Sequence, residues 1–282
     1  MSPAHGVPEN LPFRLRIQFT LTQRLTALLK LLGLREQVIR GRYALARARR
    51  KAFERRGSKR YSYPALYEMD RQLEAIIDRD GGCFVEAGGH DGYTQSNTYY
   101  LERFRGWHGM LVEPMPEMAA EAARNRPGAV VRQCALAPLD HPDSYVEMEF
   151  GDLFSTITDL RDDPHGSWVG GGLVLGWRDH RRERVPARPL SDLLDEAQIT
   201  KVDLLSLDVE GYEAYALRGL DLERHAPEWI LVEMHDLDFG RKEIGEILGA
   251  LYAEHAQLSP VDVLYRRIDE PATPELSASN PS

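Results

Sequence analysis

Four polar residues that can carry chemistry follow two apolar runs in the second half of the chain. Asp208 and Glu210 come directly after VDLLSL, and Glu233 and His235 close the run WILVEMH. Residues two apart in a strand point to the same side, so each run places its two polar side chains together. If the runs form neighbouring parallel strands, all four groups meet at the carboxyl edge of one sheet, where ligands bind in such folds.

His235 is the candidate general base of this set. Its reference pKa lies near neutrality, and a nearby Glu233 would raise that pKa and orient the ring. Asp208 and Glu210 are then candidates for positioning a substrate or a cofactor. Alternatively, the four groups bind a divalent cation, because a carboxylate-rich set suits a hard metal. A third interpretation makes His235 only a hydrogen-bonded histidine at the end of a strand.

A second stretch with chemical potential lies upstream, at Cys83–Thr98 (CFVEAGGHDGYTQSNT). Its apolar start predicts a buried parallel strand. Gly88, Gly89 and Gly92 then permit a tight turn whose backbone a ligand can approach closely. The pattern GGHDG is not the three-glycine fingerprint of a dinucleotide pyrophosphate site. The turn therefore favours a ligand without phosphates.

Two acids flank this turn, and they suit a ligand with a cationic or zwitterionic end. Glu86 stands in the strand and Asp91 stands in the turn. A helix is predicted to begin at Thr94 or Ser96, and Asn97 lies in its first turn. These residues complete the candidate cofactor side of the site.

The next two strands supply further candidate contacts. Gly109–Pro114 (GMLVEP) predicts the second parallel strand, with Glu113 at its carboxyl end. An acid there can accept both hydroxyls of a ribose, as in Rossmann sites; the alternative is an exposed carboxylate at a strand end. Ala129–Leu136 predicts a third strand, whose end at Cys134 and Ala135 would lie beside a nucleobase.

These motifs together resemble a known family. FVEAGGHDGYTQSNTYYLERFRGWHGMLVEPMP, VDLLSLDVEGYEAYALRGL and WILVEMH stand in the order found in FkbM-type S-adenosylmethionine-dependent methyltransferases, over about residues 80–265. Members usually carry Asp where Glu86 stands, and Ala-Asn where Gly89 and His90 stand. The resemblance implies a class I methyltransferase fold, which is α/β and Rossmann-like with a doubly wound, mostly parallel, seven-stranded sheet. It also implies S-adenosylmethionine as the cofactor and methyl transfer to a hydroxyl, often of a sugar.

On this resemblance the candidate residues take specific roles. The cofactor-binding candidates are Glu86, Gly88, Gly89, Asp91, Asn97, Glu113, Cys134 and Ala135. The catalytic candidates are His235, Asp208, Glu210 and Glu233. The expected reaction is O-methylation of a small-molecule or glycan acceptor: a glycan, a glycolipid or a glycosylated metabolite. One alternative is a methyltransferase-like scaffold without catalysis, which the departure from the family pattern at His90 favours. A more remote alternative is a nicotinamide dehydrogenase.

Length and composition fit one large core, or a domain with an appendage. The chain has 282 residues, of which 43% are hydrophobic. No window approaches the ~18 uninterrupted apolar residues of a membrane span, and the start lacks the order of a signal peptide. Cys83 and Cys134 lie in apolar runs and predict buried thiols in a reducing compartment. A cytoplasmic protein is therefore expected.

Charge is distributed unevenly along the chain. Residues 1–60 hold 15 Lys/Arg and 3 Asp/Glu, whereas the remainder holds 20 Lys/Arg and 41 Asp/Glu, within a net charge of −9. This asymmetry predicts a basic arm over residues 1–60, followed by an acidic methyltransferase-like domain over residues 61–270.

The basic arm is predicted to consist of two helices. Over residues 18–33 large apolar side chains recur at three- and four-residue steps, and residues 34–56 read as an Arg-rich helix. A basic amphipathic arm, taken over residues 14–60, suits an anionic membrane surface. Alternatively, it packs on the protein's own body or on a second copy in a homo-oligomer. Nucleic acid is disfavoured, because aromatic residues are sparse among the arginines and the body is acidic.

An irregular insertion is predicted over residues 141–190. SYVEMEF alternates like a strand, and Gly166–Trp177 combines five glycines with two tryptophans. That segment is either a flap that closes on a ligand or a hairpin that its tryptophans anchor. The Pro/Ser/Ala-rich stretch at residues 271–282 predicts a disordered tail.

Overall fold

The computed structural model describes residues 35–150, 156–157 and 181–268 of the chain. The chain divides into two compact units, Met1–Tyr61 and Ser62–Ser282. Among the described helices, none is both long and apolar enough to span a bilayer. The helix predicted over residues 18–33 and the tail predicted over 271–282 lie outside the described residues.

The described part of the first unit is mainly one helix, α1 (Arg35–Glu54). It lies within the range 34–56 that the arginine-rich pattern predicts. Gly57 ends it in a left-handed conformation with a φ of 76°, and its N–H donates to the carbonyl of Glu54. Leu45 is 69% exposed, so an apolar side chain accompanies the arginines on the surface of α1.

The second unit alternates strands and helices. Seven strands form the main sheet: β1 (Cys83–Ala87), β2 (His108–Val112), β3 (Ala129–Arg132), β8 (Leu204–Leu207), β9 (Trp229–Glu233), β10 (Tyr252–Gln257) and β11 (Asp262–Arg267). The α-helices are α2 (Met69–Ile77), α3 (Tyr99–Arg105), α4 (Pro116–Asn125), α5 (Leu190–Glu196), α6 (Glu213–Leu217) and α7 (Leu237–Leu248). Single 3₁₀ turns occur at Leu66–Glu68 and Gly249–Leu251.

The strand order of the main sheet is β10-β11-β9-β8-β1-β2-β3. Neighbours from β9 to β3 are parallel, and β11 is antiparallel to both β9 and β10. The chain therefore builds outward from β1 in one direction and then, from β8, in the other. This order confirms the predicted doubly wound, mostly parallel, seven-stranded sheet.

Two apolar layers cover the faces of this sheet, so the unit has a helix–sheet–helix arrangement. On one face, Phe84 of β1 packs with Leu73 of α2 and Leu101 of α3. On the other face, Val85 packs with Leu193 of α5 and with residues of α6 and α7. All five residues of β1 are buried, as expected for the central strand of a parallel sheet.

The single strand predicted over 129–136 is wrong, because the chain forms two strands there. β3 pairs with β2, whereas β4 (Ala135–Leu136) joins a second sheet. The last backbone hydrogen bond between the β2 segment and the β3 segment runs from the N–H of Glu113 to the carbonyl of Arg132. Pro114 follows and has no N–H with which to continue the ladder, so the chain leaves the sheet.

The apolar segment VDVLYRRI contains β11, which is an inner strand of the main sheet and not its edge. β11 lies between β9 and β10, and β10 forms the edge. The sequence of β10, YAEHAQ, buries only Tyr252 fully, so it lacks the apolar run that identifies a strand. After β9 the chain forms β10 at the edge of the sheet, and β11 then inserts between β9 and β10, antiparallel to both.

The insertion supplies most of the second, smaller sheet. Its order is β4-β7-β5-β6, with β5 (Tyr145–Phe150), β6 (Thr156–Ile157) and β7 (Arg181–Arg188). β5 confirms the strand predicted from SYVEMEF. The glycine- and tryptophan-rich segment at 166–177 lies outside the described residues.

Candidate active site

A cleft opens at the carboxyl edge of the main sheet, where β1, β2 and β8 end. Its volume is about 950 Å³, including the space open to solvent. The order of the strands reverses between β1 and β8, and open α/β sheets bind ligands at such a reversal. Eight of the sequence-predicted residues line the cleft: Glu86, Gly88, Asn97, Glu113, Cys134, Ala135, Asp208 and Glu210. The other four, Gly89, Asp91, Glu233 and His235, lie outside its lining.

Gly88 joins the turn after β1 to the end of β8. Its φ is 82°, and a Cβ placed on it would lie 1.8 Å from the carbonyl oxygen of Asp208. Any side chain here would therefore collide with backbone. The requirement for glycine comes from this strand-to-strand approach, in addition to the left-handed conformation.

Glu86 organises the entry to α3. Its carboxylate accepts hydrogen bonds from the backbone N–H of Asn97 at 2.7 Å, Ser96 Oγ at 2.8 Å and Thr98 Oγ1 at 2.6 Å. These bonds hold residues 96–98 in a turn, so α3 begins at Tyr99, later than the predicted start. Much of the hydrogen-bonding capacity of Glu86 is used within the protein.

Asp91 organises the glycine turn in a similar way. It accepts the N–H of Tyr93 at 3.0 Å, the N–H of Thr94 at 2.6 Å and the hydroxyl of Thr94 at 3.1 Å. Burial works to raise the pKa of Asp91, but contact with His90 and these backbone N–H groups outweigh it and hold the pKa well below its usual range. The contact of Asp91 with the cofactor stays a prediction; in the structure its side chain bonds the turn that forms the cleft wall.

Arg126 is a residue that sequence reasoning missed. Its side chain is 1% exposed, and its guanidinium donates to Glu86, Ser96 Oγ, Thr98 Oγ1 and Glu102, and to the carbonyl of Gly92. The shortest of these bonds, from Nε to the Glu102 carboxylate, is 2.5 Å. A single arginine thus ties β1, the glycine turn and α3 together. No local pattern signals it, because its partners lie 24 to 40 residues away.

Glu113 lies at the end of β2, as predicted, and is buried. One carboxylate oxygen accepts the N–H of His90 at 2.8 Å, and the other accepts the N–H of Met115 at 2.9 Å. Burial raises the pKa of Glu113 despite these bonds. Each oxygen retains a second lone pair, so the carboxylate can still accept two ribose hydroxyls.

His90 occupies a left-handed backbone conformation with a φ of 44°. Histidine and asparagine are among the residues that tolerate this conformation best after glycine. Histidine in place of the family's usual asparagine therefore still satisfies the backbone conformation that this position requires. The His90 side chain is buried and lines the cleft.

Asn97, Cys134 and Ala135 complete the cofactor side of the cleft lining. The Asn97 amide donates to Ser206 Oγ at 3.1 Å, while its buried Oδ1 has no hydrogen-bond partner among the described residues. Burial raises the pKa of Cys134 to about 12, so its thiol stays protonated at neutral pH. Cys83 and Cys134 are both buried free thiols, as predicted.

The predicted catalytic residues meet where β8 and β9 end. His235 Nε2 lies 3.7 Å from Glu210 Oε2 and 3.7 Å from Glu233 Oε2. Asp208 follows Leu207, the residue that pairs with Val232 in the parallel register, so Asp208 stands beside Glu233. We refer to Asp208, Glu210, Glu233 and His235 as the acid–histidine cluster.

The geometry behind this cluster differs from the strand alternation predicted from sequence. β8 ends at Leu207, and Glu210 lies in a turn with a left-handed φ of 58°. Glu213, which sequence reasoning missed, holds that turn by accepting the N–H groups of Val209 at 3.0 Å and Gly211 at 3.1 Å. A turn, and not alternation along a strand, directs Glu210 towards His235.

Crowding of acids in a buried place changes the proton affinities of the cluster. Burial raises the pKa of Glu210 to about 7, with Asp208 adding to the effect and His235 opposing it. Burial and the adjacent Asp208 raise the pKa of Glu233, and burial raises that of Asp208. Contact with Glu210 raises the pKa of His235 above its ordinary value. The cluster therefore holds protons near neutral pH and can exchange them with a ligand.

The chain is similar to known proteins in sequence and in fold. The family model described as the methyltransferase FkbM domain matches residues 86–258. A search of curated proteins gave no significant match. Among solved structures, a TehB-like SAM-dependent methyltransferase from Corynebacterium glutamicum is 12% identical, with a TM-score of 0.41, over 81% of this chain and 97% of that chain. Fibrillarin from Aeropyrum pernix with natively bound S-adenosyl-L-methionine is 12% identical, with a TM-score of 0.41, over 73% of this chain and 76% of that chain.

The match covers well over half of the chain, and the chain belongs to the FkbM methyltransferase family. It is an S-adenosylmethionine-dependent methyltransferase, and S-adenosylmethionine is its cofactor. The cleft fits that molecule. Glu113 offers two acceptors for ribose hydroxyls, and the free Oδ1 of Asn97 offers an acceptor for an ammonium group.

Proposed function

We propose that this methyltransferase transfers its methyl group to a hydroxyl of a sugar, in a glycan, a glycolipid or a glycosylated metabolite. The observation that carries the proposal is the approach of His235 Nε2 to Glu210 Oε2, at 3.7 Å, beside the cofactor cleft. A hydroxyl must lose its proton as it is methylated. A histidine beside a carboxylate is suited to take that proton near neutral pH.

Each residue of the acid–histidine cluster has a part in this reaction. S-adenosylmethionine supplies an electrophilic methyl group, which the acceptor oxygen takes as the carbon–sulfur bond breaks. His235 receives the hydroxyl proton on Nε2, and Glu210 stabilises the imidazolium that forms. Asp208 and Glu210 line the cleft, where they can hold neighbouring hydroxyls of the acceptor. Alignment of this kind supplies several kcal/mol of a methyl-transfer barrier, and general-base catalysis typically adds ~10²–10⁴-fold.

The experiment that tests the proposal is a transfer assay with methyl-labelled S-adenosylmethionine over a panel of free sugars and lipid-linked glycans. We expect label in at least one sugar, in a linkage that resists mild alkali as a methyl ether does. Label in an alkali-labile ester or on nitrogen would contradict methylation of a hydroxyl. Cofactor binding by calorimetry, together with no transfer to any acceptor, would favour the alternative of a non-catalytic scaffold.

We further propose that the basic arm binds an anionic membrane surface and so brings the enzyme to lipid-linked acceptors. Two features of α1 support this proposal. Arg42 and Lys51 are exposed on it, Arg55 is exposed directly after its end, and Leu45 is exposed among these basic side chains. Basic side chains near an anionic leaflet each contribute about 1 kcal/mol, and exposed apolar side chains add to that attraction.

Co-sedimentation with phosphatidylserine vesicles tests the arm. We expect binding that weakens as salt is raised and falls at least tenfold in the double variant Arg42→Glu, Arg55→Glu. The matched control reverses two exposed arginines of the second unit, Arg103→Glu with Arg266→Glu. Equal losses in both double variants would show that total charge, and not α1, governs binding.

A further inference from the structure

We propose that Glu210, Glu233 and His235 form a binding site for a divalent metal ion. The inference deepens the proposed function, because the site adjoins the position assigned to the acceptor hydroxyl. Binding of the ion itself requires neither the cofactor nor an acceptor. The claim can therefore be tested separately from methyl transfer.

The two distances from His235 to the carboxylates are longer than a direct hydrogen bond and fit two ligands of one ion. His235 Nε2 lies 3.7 Å from a carboxylate oxygen of Glu210 and 3.7 Å from one of Glu233, and ligand atoms of all three lie within 4.8 Å of one another. A hydrogen bond between nitrogen and oxygen requires about 2.7–3.2 Å. Two ligand atoms that each lie about 2.0–2.2 Å from one ion are separated by roughly 3–4 Å.

The charge of the site is unbalanced in the part of the chain that the structure describes. Asp208 adds a third carboxylate beside Glu233, and among the described residues no lysine or arginine forms an ion pair with the carboxylates of Asp208, Glu210 or Glu233. Oε2 of Glu233 is buried and has no hydrogen-bond partner there. Burying several carboxylates without a compensating cation is costly, and a divalent ion supplies the compensation.

The ligand set also indicates which ions fit. Carboxylates favour hard ions such as Mg²⁺ and Mn²⁺, whereas imidazole favours later transition metals. Two carboxylates with one imidazole suit Mn²⁺, which accepts both ligand types. Glu210 lines the cleft and the side chains of Glu233 and His235 are about one-fifth exposed, so the ion has a route of entry.

Occupation of the site changes the role of His235. An ion bound to Nε2 uses the lone pair that would otherwise take the acceptor proton. In the metal-loaded protein a bound ion would polarise the acceptor oxygen, His235 would act as a ligand, and the carboxylate of Asp208, which lines the cleft, would take the hydroxyl proton. The pH dependence of methyl transfer should therefore differ between the loaded and the chelated enzyme.

The test titrates Mn²⁺ into the full-length protein, freed of metal with EDTA and held without cofactor or acceptor, and follows free Mn²⁺ by electron paramagnetic resonance. We expect one saturable site per chain. Its dissociation constant should rise at least tenfold in Glu233→Gln and in His235→Ala, but not in the control Glu246→Gln, whose carboxylate is exposed on α7. Circular dichroism verifies the fold of each variant, and Glu210→Gln replaces any variant that fails to fold.

Absence of a saturable site in the wild-type protein, or equal affinity in the wild type and both cluster variants, would overturn the proposal. The proposed methyl transfer to a hydroxyl would still stand after that result, provided that the EDTA-treated enzyme labels a sugar. Conversely, tight Mn²⁺ binding in an enzyme that labels no hydroxyl would support the site and contradict the proposed function.

Discussion

Two buried polar groups of residues meet the same cleft but differ in how fully their charges are compensated. The first, which we term the loop network, consists of Glu86, Ser96, Thr98, Glu102 and Arg126. In it one arginine pairs with two carboxylates, and two hydroxyls occupy remaining positions. The second, the acid–histidine cluster, brings three carboxylates to a single histidine whose closest contacts with them are 3.7 Å.

This difference separates structural support from chemistry. A fully hydrogen-bonded buried network holds one conformation, because every alternative leaves a polar group unpaired. A cluster of crowded carboxylates has raised pKa values, so it can exchange protons near neutral pH, and its carboxylate oxygens can serve a reaction or a metal ion. The loop network therefore shapes one wall of the cleft, and under the proposed function the acid–histidine cluster serves the acceptor.

The largest effect on stability is expected from removing the arginine of the loop network. Arg126→Ala leaves Glu86 and Glu102 without their cation in a buried site, and breaking a buried pair in this way costs about 3–5 kcal/mol. Chemical denaturation measures the loss. Arg124→Ala, in the last turn of α4 with a solvent-accessible ion pair to Glu121, should change the unfolding free energy by less than ~0.5 kcal/mol. Similar losses in both variants would remove the special role of Arg126.

The next effect concerns the pH dependence that the acid–histidine cluster imposes. The pKa of Glu210 is raised from 4.5 to about 7, so the folded protein holds this proton more tightly than the unfolded chain. The resulting stability is complete below about pH 4.5 and is lost as pH rises through about 7. From its shift alone, Glu210 lowers the unfolding free energy by on the order of 3 kcal/mol between pH 5 and pH 8.

Glu210→Gln removes this titration, so the variant should lose less stability than the wild type between pH 5 and pH 8. Denaturation curves at the two pH values measure the difference. Contact with Glu210 also raises the pKa of His235, which acts in the same direction above pH 6.5, so the variant loses the main cause of that shift as well. An identical pH dependence in both proteins would mean that Glu210 is ionised in the cluster at neutral pH.

A small effect is expected at His90, whose backbone belongs to the cofactor wall. A left-handed conformation costs ordinary side chains roughly 1–2 kcal/mol, and asparagine less. His90→Asn should therefore keep the unfolding free energy within ~0.5 kcal/mol of the wild type, whereas His90→Ala should lose about 1 kcal/mol. Equal stability of the two variants would indicate that backbone conformation does not select the residue at this position.

The parts of the fold and of the candidate site that could be predicted from the sequence are those that local patterns specify. β1, β2, β8 and β9 are apolar runs with acids at or just past their ends, and those acids line or adjoin the cleft. Contacts distant in sequence were not predictable. Arg126 stands alone after α4, β10 lacks an apolar run, and the break after Arg132 depends on Pro114, which follows the neighbouring strand β2. The sequence also did not indicate that the carboxylate oxygens of Glu86 and Asp91 accept hydrogen bonds from their own loop.

The most direct test of the account measures activity and stability together in one variant of the acid–histidine cluster. His235→Ala should lower methyl transfer to the best labelled sugar by ~10²–10⁴-fold, with little change in unfolding free energy. The matched control is His108→Ala, which removes an exposed histidine at the amino end of β2, the opposite edge of the sheet; it should retain full activity. Undiminished transfer in His235→Ala, or a loss of activity that follows a loss of folding, would contradict the central claim.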